Sequence, residues 1–144
     1  MPEPRSPEPP DEQLRGLLQR SRTLAVVGLS DRPERASYQV AQNLRAAGYR
    51  IIPVNPRLPA VLGEKCYPSL ADVPEKVDLV VVFRRPEFVE PVVDEAIRAA
   101  VPAVWMQLGV RHPAAARKAR EAGLEVVMDR CAWVEYQRLF GRMT

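Results

Sequence analysis

The run Leu79-Val80-Val81-Val82-Phe83 contains no polar residue, and it is far too short to span a bilayer. A stretch of that kind is a strand buried on both faces, which requires a parallel sheet covered by helices on either side. The flanking sequence keeps the matching beat. Thr23-Leu24-Ala25-Val26-Val27 reads as strand one, ended by Gly28. Val40, Ala41, Leu44 and Ala47 then mark the buried face of a helix from about Ser37 to Gly48, and Arg50 to Val54 is strand two. A turn-rich segment, Pro56 to Pro68, and a short helical turn at Ser69 to Val73 lead into strand three, Asp78 to Phe83. A helix from Pro86 or Phe88 to Ala100 follows, with Pro91 in its first turns. Ala103 to Gln107 is strand four, Pro113 to Ala122 a helix stopped by Gly123, Leu124 to Met128 strand five, and Trp133 to Leu139 a last amphipathic turn or helix. Alternation of this kind forces right-handed crossovers, so the expected architecture is α/β, a doubly wound five-stranded parallel sheet in the order 3-2-1-4-5.

The 144 residues suit a single core. Five prolines in the first ten positions predict a flexible tail over 1–10, ahead of one domain over 11–144. Leu14, Leu17 and Leu18 place an amphipathic helix over Glu12 to Arg22 with Asp11 as its N-cap. Hydrophobic residues at 47% and charged residues at 27% are those of an ordinary globular protein. The net charge of +3 comes from 21 basic against 18 acidic residues, without a basic stripe interleaved with aromatics, which disfavours nucleic acid as a partner. No secretory signal and no apolar run of about 18 residues is present, so the expectation is a cytoplasmic protein with no membrane partner. Cys66 and Cys131 have neither metal-ligand nor CxxC spacing and are expected to be reduced.

Ligands of open parallel sheets bind beyond the carboxyl ends of the strands at the switch point, which the expected order puts between strands one and four. That placement selects the candidate residues. Gly28 turns the chain out of strand one, and Ser30, Arg35 and Ser37 with the following helix N-terminus offer hydroxyls, charge and free amides to a pyrophosphate. Strand two closes on Asn55-Pro56-Arg57, where a dinucleotide-binding fold should carry an Asp or Glu for the ribose hydroxyls. A nucleotide fold without that acid but with Arg57, Arg84 and Arg85 points to a ligand with extra phosphate, and coenzyme A is one. NADP is the alternative, because Arg57 is also suited to its ribose phosphate. Asn55 has a second reading as the cap of its own turn, Phe83 as core, and Arg84 and Arg85 as solvent charges neutralised by Glu87 and Glu90. Gln107 and Gly109 resemble a loop that approaches a ligand, and Cys131, with Arg130 beside it, follows strand five at the cleft edge. Trp105 and Met106 read as packing, and His112, just before Pro113, as a helix cap rather than a catalyst. One histidine and scattered acids build neither a nucleophile-base set nor a metal cluster.

Several of these runs occur together in one order. Val26-Val27-Gly28-Leu29-Ser30, Val54-Asn55-Pro56, Gly63-Glu64-Lys65, Phe83-Arg84-Arg85-Pro86, Trp105-Met106-Gln107-Leu108-Gly109 and Met128-Asp129-Arg130-Cys131 closely resemble the stand-alone CoA-binding family. That family is similar to the N-terminal CoA domain of the succinyl-CoA synthetase α-subunit, and the match runs from Thr23 to about Tyr136. The resemblance implies a Rossmann-like fold holding CoA across the strand ends. It implies Gly28, Ser30 and Arg35 at the phosphates, with Asn55, Arg57, Phe83 and Arg84 flanking the nucleotide. The synthetase relatives ligate only with further domains and a phosphorylated histidine. Because His112 lies outside the matching motifs and the chain stops before such a domain, the expectation is a module that binds CoA or an acyl-CoA without its own catalytic centre, the alternative being an NADP-binding or acyl-CoA-using Rossmann enzyme or enzyme subunit.

Overall fold

A computed structural model describes residues 8–141, so residues 1–7 of the expected tail lie outside the described residues. In chain order the elements are α1 (Asp11–Arg20), β1 (Thr23–Val27), α2 (Ala36–Ala46), β2 (Arg50–Val54), a hairpin of β3 (Ala60–Val61) and β4 (Glu64–Lys65), β5 (Leu79–Val82), α3 (Val89–Arg98), β6 (Ala103–Met106), α4 (Pro113–Glu121), β7 (Glu125–Val127) and α5 (Ala132–Phe140). Short 3-10 turns at Leu70–Asp72 and Pro86–Phe88 precede β5 and α3. The α/β alternation is as expected from the sequence. The hairpin inside the turn-rich segment was not, since strands of two residues carry no periodic signal.

All five main strands are parallel, in the order β2-β1-β5-β6-β7. Counted along the chain this is 2-1-3-4-5, a Rossmann-like arrangement in which the third strand pairs with the first instead of lying outside the second. The reason is a donor count. Pro53 has no N–H, and its carbonyl points outward to accept from Tyr67 N at 3.0 Å, so the missing donor belongs to the outer edge of β2. A further full strand there would lack a ladder bond. Among the described residues that edge carries the single bridge of Val54 with Tyr67, while the wholly apolar β5 takes an interior place with all four residues at 0% exposure.

Strand periodicity divides the core into two layers. Leu24 and Val26 of β1 face one way, with α1, α2 and α5. Ala25 and Val27 face the other, with α3 and α4. The division follows from the reversal of strand order: a right-handed crossover running from β1 to β2 puts its helix on one face, and crossovers running from β5 through β6 to β7 put theirs on the opposite face.

Asp11 is the first residue of α1 rather than its cap; Pro10 holds that position. The Asp11 carboxylate instead accepts from Arg138 of α5 at 2.8 and 2.9 Å. Arg138 also binds Glu135, the one buried charged side chain among the described residues, and Arg130 donates to Glu135 at 2.7 Å. Burial pushes the Glu135 pKa up, but the two guanidiniums outweigh it and hold the carboxyl below its usual range.

Candidate functional site

The carboxyl ends of β2, β1 and β5 are stitched together by the backbone. Gly28 N donates to Val54 O at 2.9 Å and Phe83 N to Val27 O at 2.8 Å. Gly28 has φ +87°, and a Cβ built there would lie 2.3 Å from Phe83 O. Only glycine lets the chain leave β1 this close to β5. The switch point lies between β1 and β5, on the flank of β1 opposite β2, where the expected order would have put the fourth strand, β6, in place of the third.

The two hydroxyls expected at the phosphates have structural partners. Ser37, buried at the start of α2, accepts from Ser30 N at 3.0 Å, and Ser30 Oγ accepts from Arg32 N at 3.1 Å. These bonds shape the β1–α2 loop. Arg35 is the N-cap of α2 without a side-chain cap bond, and no acid stands in the first turn, so its amides and positive dipole end are left to an anion. Asn55 ties two loops: its Nδ2 donates to Leu29 O at 3.0 Å and its Oδ1 accepts from Arg57 N at 2.8 Å. The turn-capping reading of Asn55 is thus present in the structure, and through it Asn55 fixes where Arg57 leaves the chain.

Three adjoining hollows form one trough over these strand ends. One, of about 340 Å³, is lined by Gly28, Ser30, Arg32, Arg35, Ala36, Ser37 and Phe83. The next, of about 330 Å³, shares Gly28 and Phe83 and adds Asn55, Pro56, Arg57 and Arg84. The third, of about 240 Å³, shares Pro56 and Arg84 and is otherwise mainly apolar, with Val27, Val54, Pro68, Phe88, Pro91 and Val92. Each is near or within the size of a small-ligand pocket, about 300 Å³ upward, and their shared walls make room for an elongated molecule.

Among the described residues none of Arg32, Arg35, Arg57, Arg84 and Arg85 has an ion pair. Glu90, one of the two expected neutralisers of the Arg84-Arg85 pair, goes to Lys118 instead, and Glu87, the other, has no ion pair among the described residues. Half-buried Arg84 lies over the Phe88 ring, 5.0 Å from its centre, which holds the guanidinium at the trough wall without cancelling its charge. Asp31 and Glu34 offset part of the charge of the β1–α2 loop, so the net positive field comes chiefly from Arg57, Arg84 and Arg85.

Gln107, Gly109 and Cys131 are not among the residues lining these hollows; they lie beyond, at the ends of β6 and β7. Gly109 N donates to Asp129 at 2.7 Å. Cys131 is the N-cap residue of α5 and packs against the α1, α2 and α5 layer, while Arg130 beside it is engaged by Glu135 and Glu8. Trp105 and Met106 are wholly buried, and His112 Nδ1 caps α4 by accepting from Ala115 N at 3.0 Å. Among the described residues no group of acids, histidines or cysteines could hold a metal. Sequence reasoning missed Arg32, whose signal was its place between Ser30 and Arg35, and Phe88, whose ring becomes part of the site only because the turn before α3 leaves it 45% exposed beside Arg84.

Comparison with known proteins accords with this geometry. The uncharacterized protein YneT of Bacillus subtilis (strain 168) is 41% identical over 128 residues, 89% of this chain and 95% of that protein. The structure of a hypothetical protein from Pyrococcus horikoshii OT3 has a TM-score of 0.91 at 40% identity, covering 98% of this chain and 100% of that one. The ADP-forming acetate–CoA ligase II subunit alpha of Pyrococcus furiosus is 34% identical over 84 residues, 58% of this chain, and the match spans only 18% of the ligase subunit. Residues 22–137, which hold the whole sheet and the trough, match the family described as the CoA binding domain, and the chain belongs to that family.

Proposed function

We propose that the protein binds coenzyme A or an acyl-CoA in the trough at the ends of β1, β2 and β5. The observation that carries the reading is the row of arginines without ion pairs along a trough floored by Gly28. The pyrophosphate is assigned to the uncapped α2 terminus with Ser30 and Arg35, the ribose phosphate to Arg57 and Arg84, and the base to the apolar third beside Phe88. The lining is built of arginines, serines, Gly28 and apolar residues, a composition suited to holding a phosphorylated ligand.

Native mass spectrometry of freshly purified protein, followed by calorimetric titration with CoA, acetyl-CoA, NADP and NAD, tests the reading. CoA or its thioester should bind most tightly. Tighter binding of NAD removes the proposal, and tighter binding of NADP replaces it with a dinucleotide site at Arg57.

A further inference from the structure

His112 is the only histidine of the chain, and its imidazole is committed to a single backbone amide. Its Nδ1 accepts from Ala115 N at 3.0 Å and so caps α4, whose first helical residue is Pro113. An amide N–H only donates, so this bond requires Nδ1 without a proton, and the neutral ring carries its hydrogen on Nε2. Protonation turns the acceptor into a donor. It also sets a positive charge at the positive end of the helix dipole, where the first turn of α4 has no acid to offset it.

Little else holds that turn. The buried residues of α4 are Ala115, Ala116 and Ala119, whose side chains remove only small apolar areas from water. The loop before the helix, residues 107–112, is fixed by buried Val110, whose N–H donates to Gln107 O at 2.8 Å, and by Gly109 N on Asp129 at 2.7 Å. His112 N adds a weak bond to the Met128 sulfur at 3.4 Å. Most acids on the elements around α4 already have partners: Glu90 and Asp94 of α3 bind Lys118, Glu95 accepts from Leu70 N, Glu125 of β7 binds Arg20, and Asp129 binds Arg111. Glu87, Arg98, Arg117, Arg120 and Glu121 complete the charged set. As classes, carboxylates titrate at about pH 4 and guanidiniums above about 12, whereas imidazoles titrate between about 5 and 8.

We infer that His112 is a pH-sensitive latch at the carboxyl end of the sheet. Neutral, it caps α4 and holds the loop of residues 107–112 in place; protonated, it releases the first turn of α4 and the loop with it. The latch is closed at neutral pH and opens as pH falls through the imidazole range. Because this loop stands at the end of β6, next to the β5 end that walls the trough, acid loosens the same side of the sheet that carries the trough. The inference does not depend on which ligand the trough takes.

The test is amide hydrogen exchange of the full chain at about pH 7.5 and about pH 5, corrected for the intrinsic effect of pH, in the wild type, His112→Asn and His112→Ala. His112→Asn keeps a capping oxygen that does not titrate, and His112→Ala removes the cap at every pH. Between the two conditions the wild type should lose about three- to tenfold of its protection over residues 108–116. His112→Asn should stay protected at both, and His112→Ala should be open at both. An equal loss in the wild type and His112→Asn, or no loss in the wild type, overturns the inference. Should the variants fold poorly, nitrogen NMR of the wild type decides, since a single histidine gives an unambiguous signal. The Nε2–H tautomer at neutral pH, with the Ala115 amide shifting at the same midpoint as the imidazole, supports the latch. The Nδ1–H tautomer, or an Ala115 amide that does not follow the imidazole, overturns it.

Discussion

The sheet has a hollow at each end, and they differ in how many arginines without ion pairs line them. At the amino ends of β1 and β2 a cavity of about 370 Å³ is lined by Leu18, Tyr49, Arg50, Tyr136 and Phe140 among others. It is at least as large as any part of the trough at the carboxyl ends. Two of its polar groups are already engaged, since Tyr49 OH donates to Leu18 O at 2.6 Å and Arg50 is held by Glu75 and Glu64, and Arg22 is the one arginine of its lining without an ion pair among the described residues. The trough arginines have no such partners among the described residues. Size is therefore a poor guide here, and unspent hydrogen-bonding and charge capacity a better one.

The largest expected effect is at Gly28. Gly28→Ala must move the β5 carbonyl and hold alanine at positive φ, so it should cost about 2 to 4 kcal/mol in urea unfolding and abolish CoA binding. Gly123→Ala is the control. Gly123 also has positive φ, +94°, but nothing lies within 4 Å of the added Cβ, so it should cost about 1 kcal/mol and leave binding intact. Equal costs would mean that the close passage of β1 by β5 is not rigid.

Next come the arginines. Arg84→Ala should weaken CoA about tenfold, and the more exposed Arg35→Ala about threefold because solvent screens it, with melting temperatures almost unchanged in both. Arg50→Ala, at the other hollow, should leave CoA affinity alone. A change in CoA affinity from Arg50→Ala, but not from Arg84→Ala, would move the site to the amino end.

A smaller effect belongs to Tyr49. Tyr49→Phe should cost about 1 kcal/mol of stability without touching CoA affinity. Burial, and then the neighbouring Tyr136, push the Tyr49 pKa up to about 12 from 10.0. The native state therefore disfavours the phenolate, so this stabilisation is fully present below about pH 10 and is lost as pH rises toward 12. Alkaline unfolding curves should be steeper for the parent than for Tyr49→Phe.

The smallest effect is that of salt. Raising ionic strength from about 0.05 to 0.5 M should weaken CoA binding a few-fold, since partly exposed arginines are screened, while changing stability little. A salt-independent affinity would mean that the phosphates are not held by these arginines.

Much of this molecule was legible in its residues. Apolar runs such as Leu79 to Val82, with helical spacing between them, dictate parallel strands and covering helices, because a strand apolar on both faces has no other stable environment. That Gly28, the Asn55-Pro56-Arg57 turn and Arg84 come together was legible because they follow strand ends, and strand ends are marked by periodicity. The strand order was also partly written, in Pro53, but periodicity does not reveal which side of a neighbour a strand takes. Misplacing that one strand set Gln107, Gly109 and Cys131 one strand nearer to β1 than the structure has them.

What the sequence by itself determined is the set of elements, since local periodicity, turn residues and backbone donors act over a few neighbours. What only the tertiary structure decided is which charges remain unspent. Glu90 stands five residues from Arg85 but pairs with Lys118, and Asp11 lies 127 residues from Arg138 yet binds it. Ion pairing falls off over a few ångströms in space and takes no account of separation along the chain, so the arginines left for a ligand become visible only after every other charge has found its place.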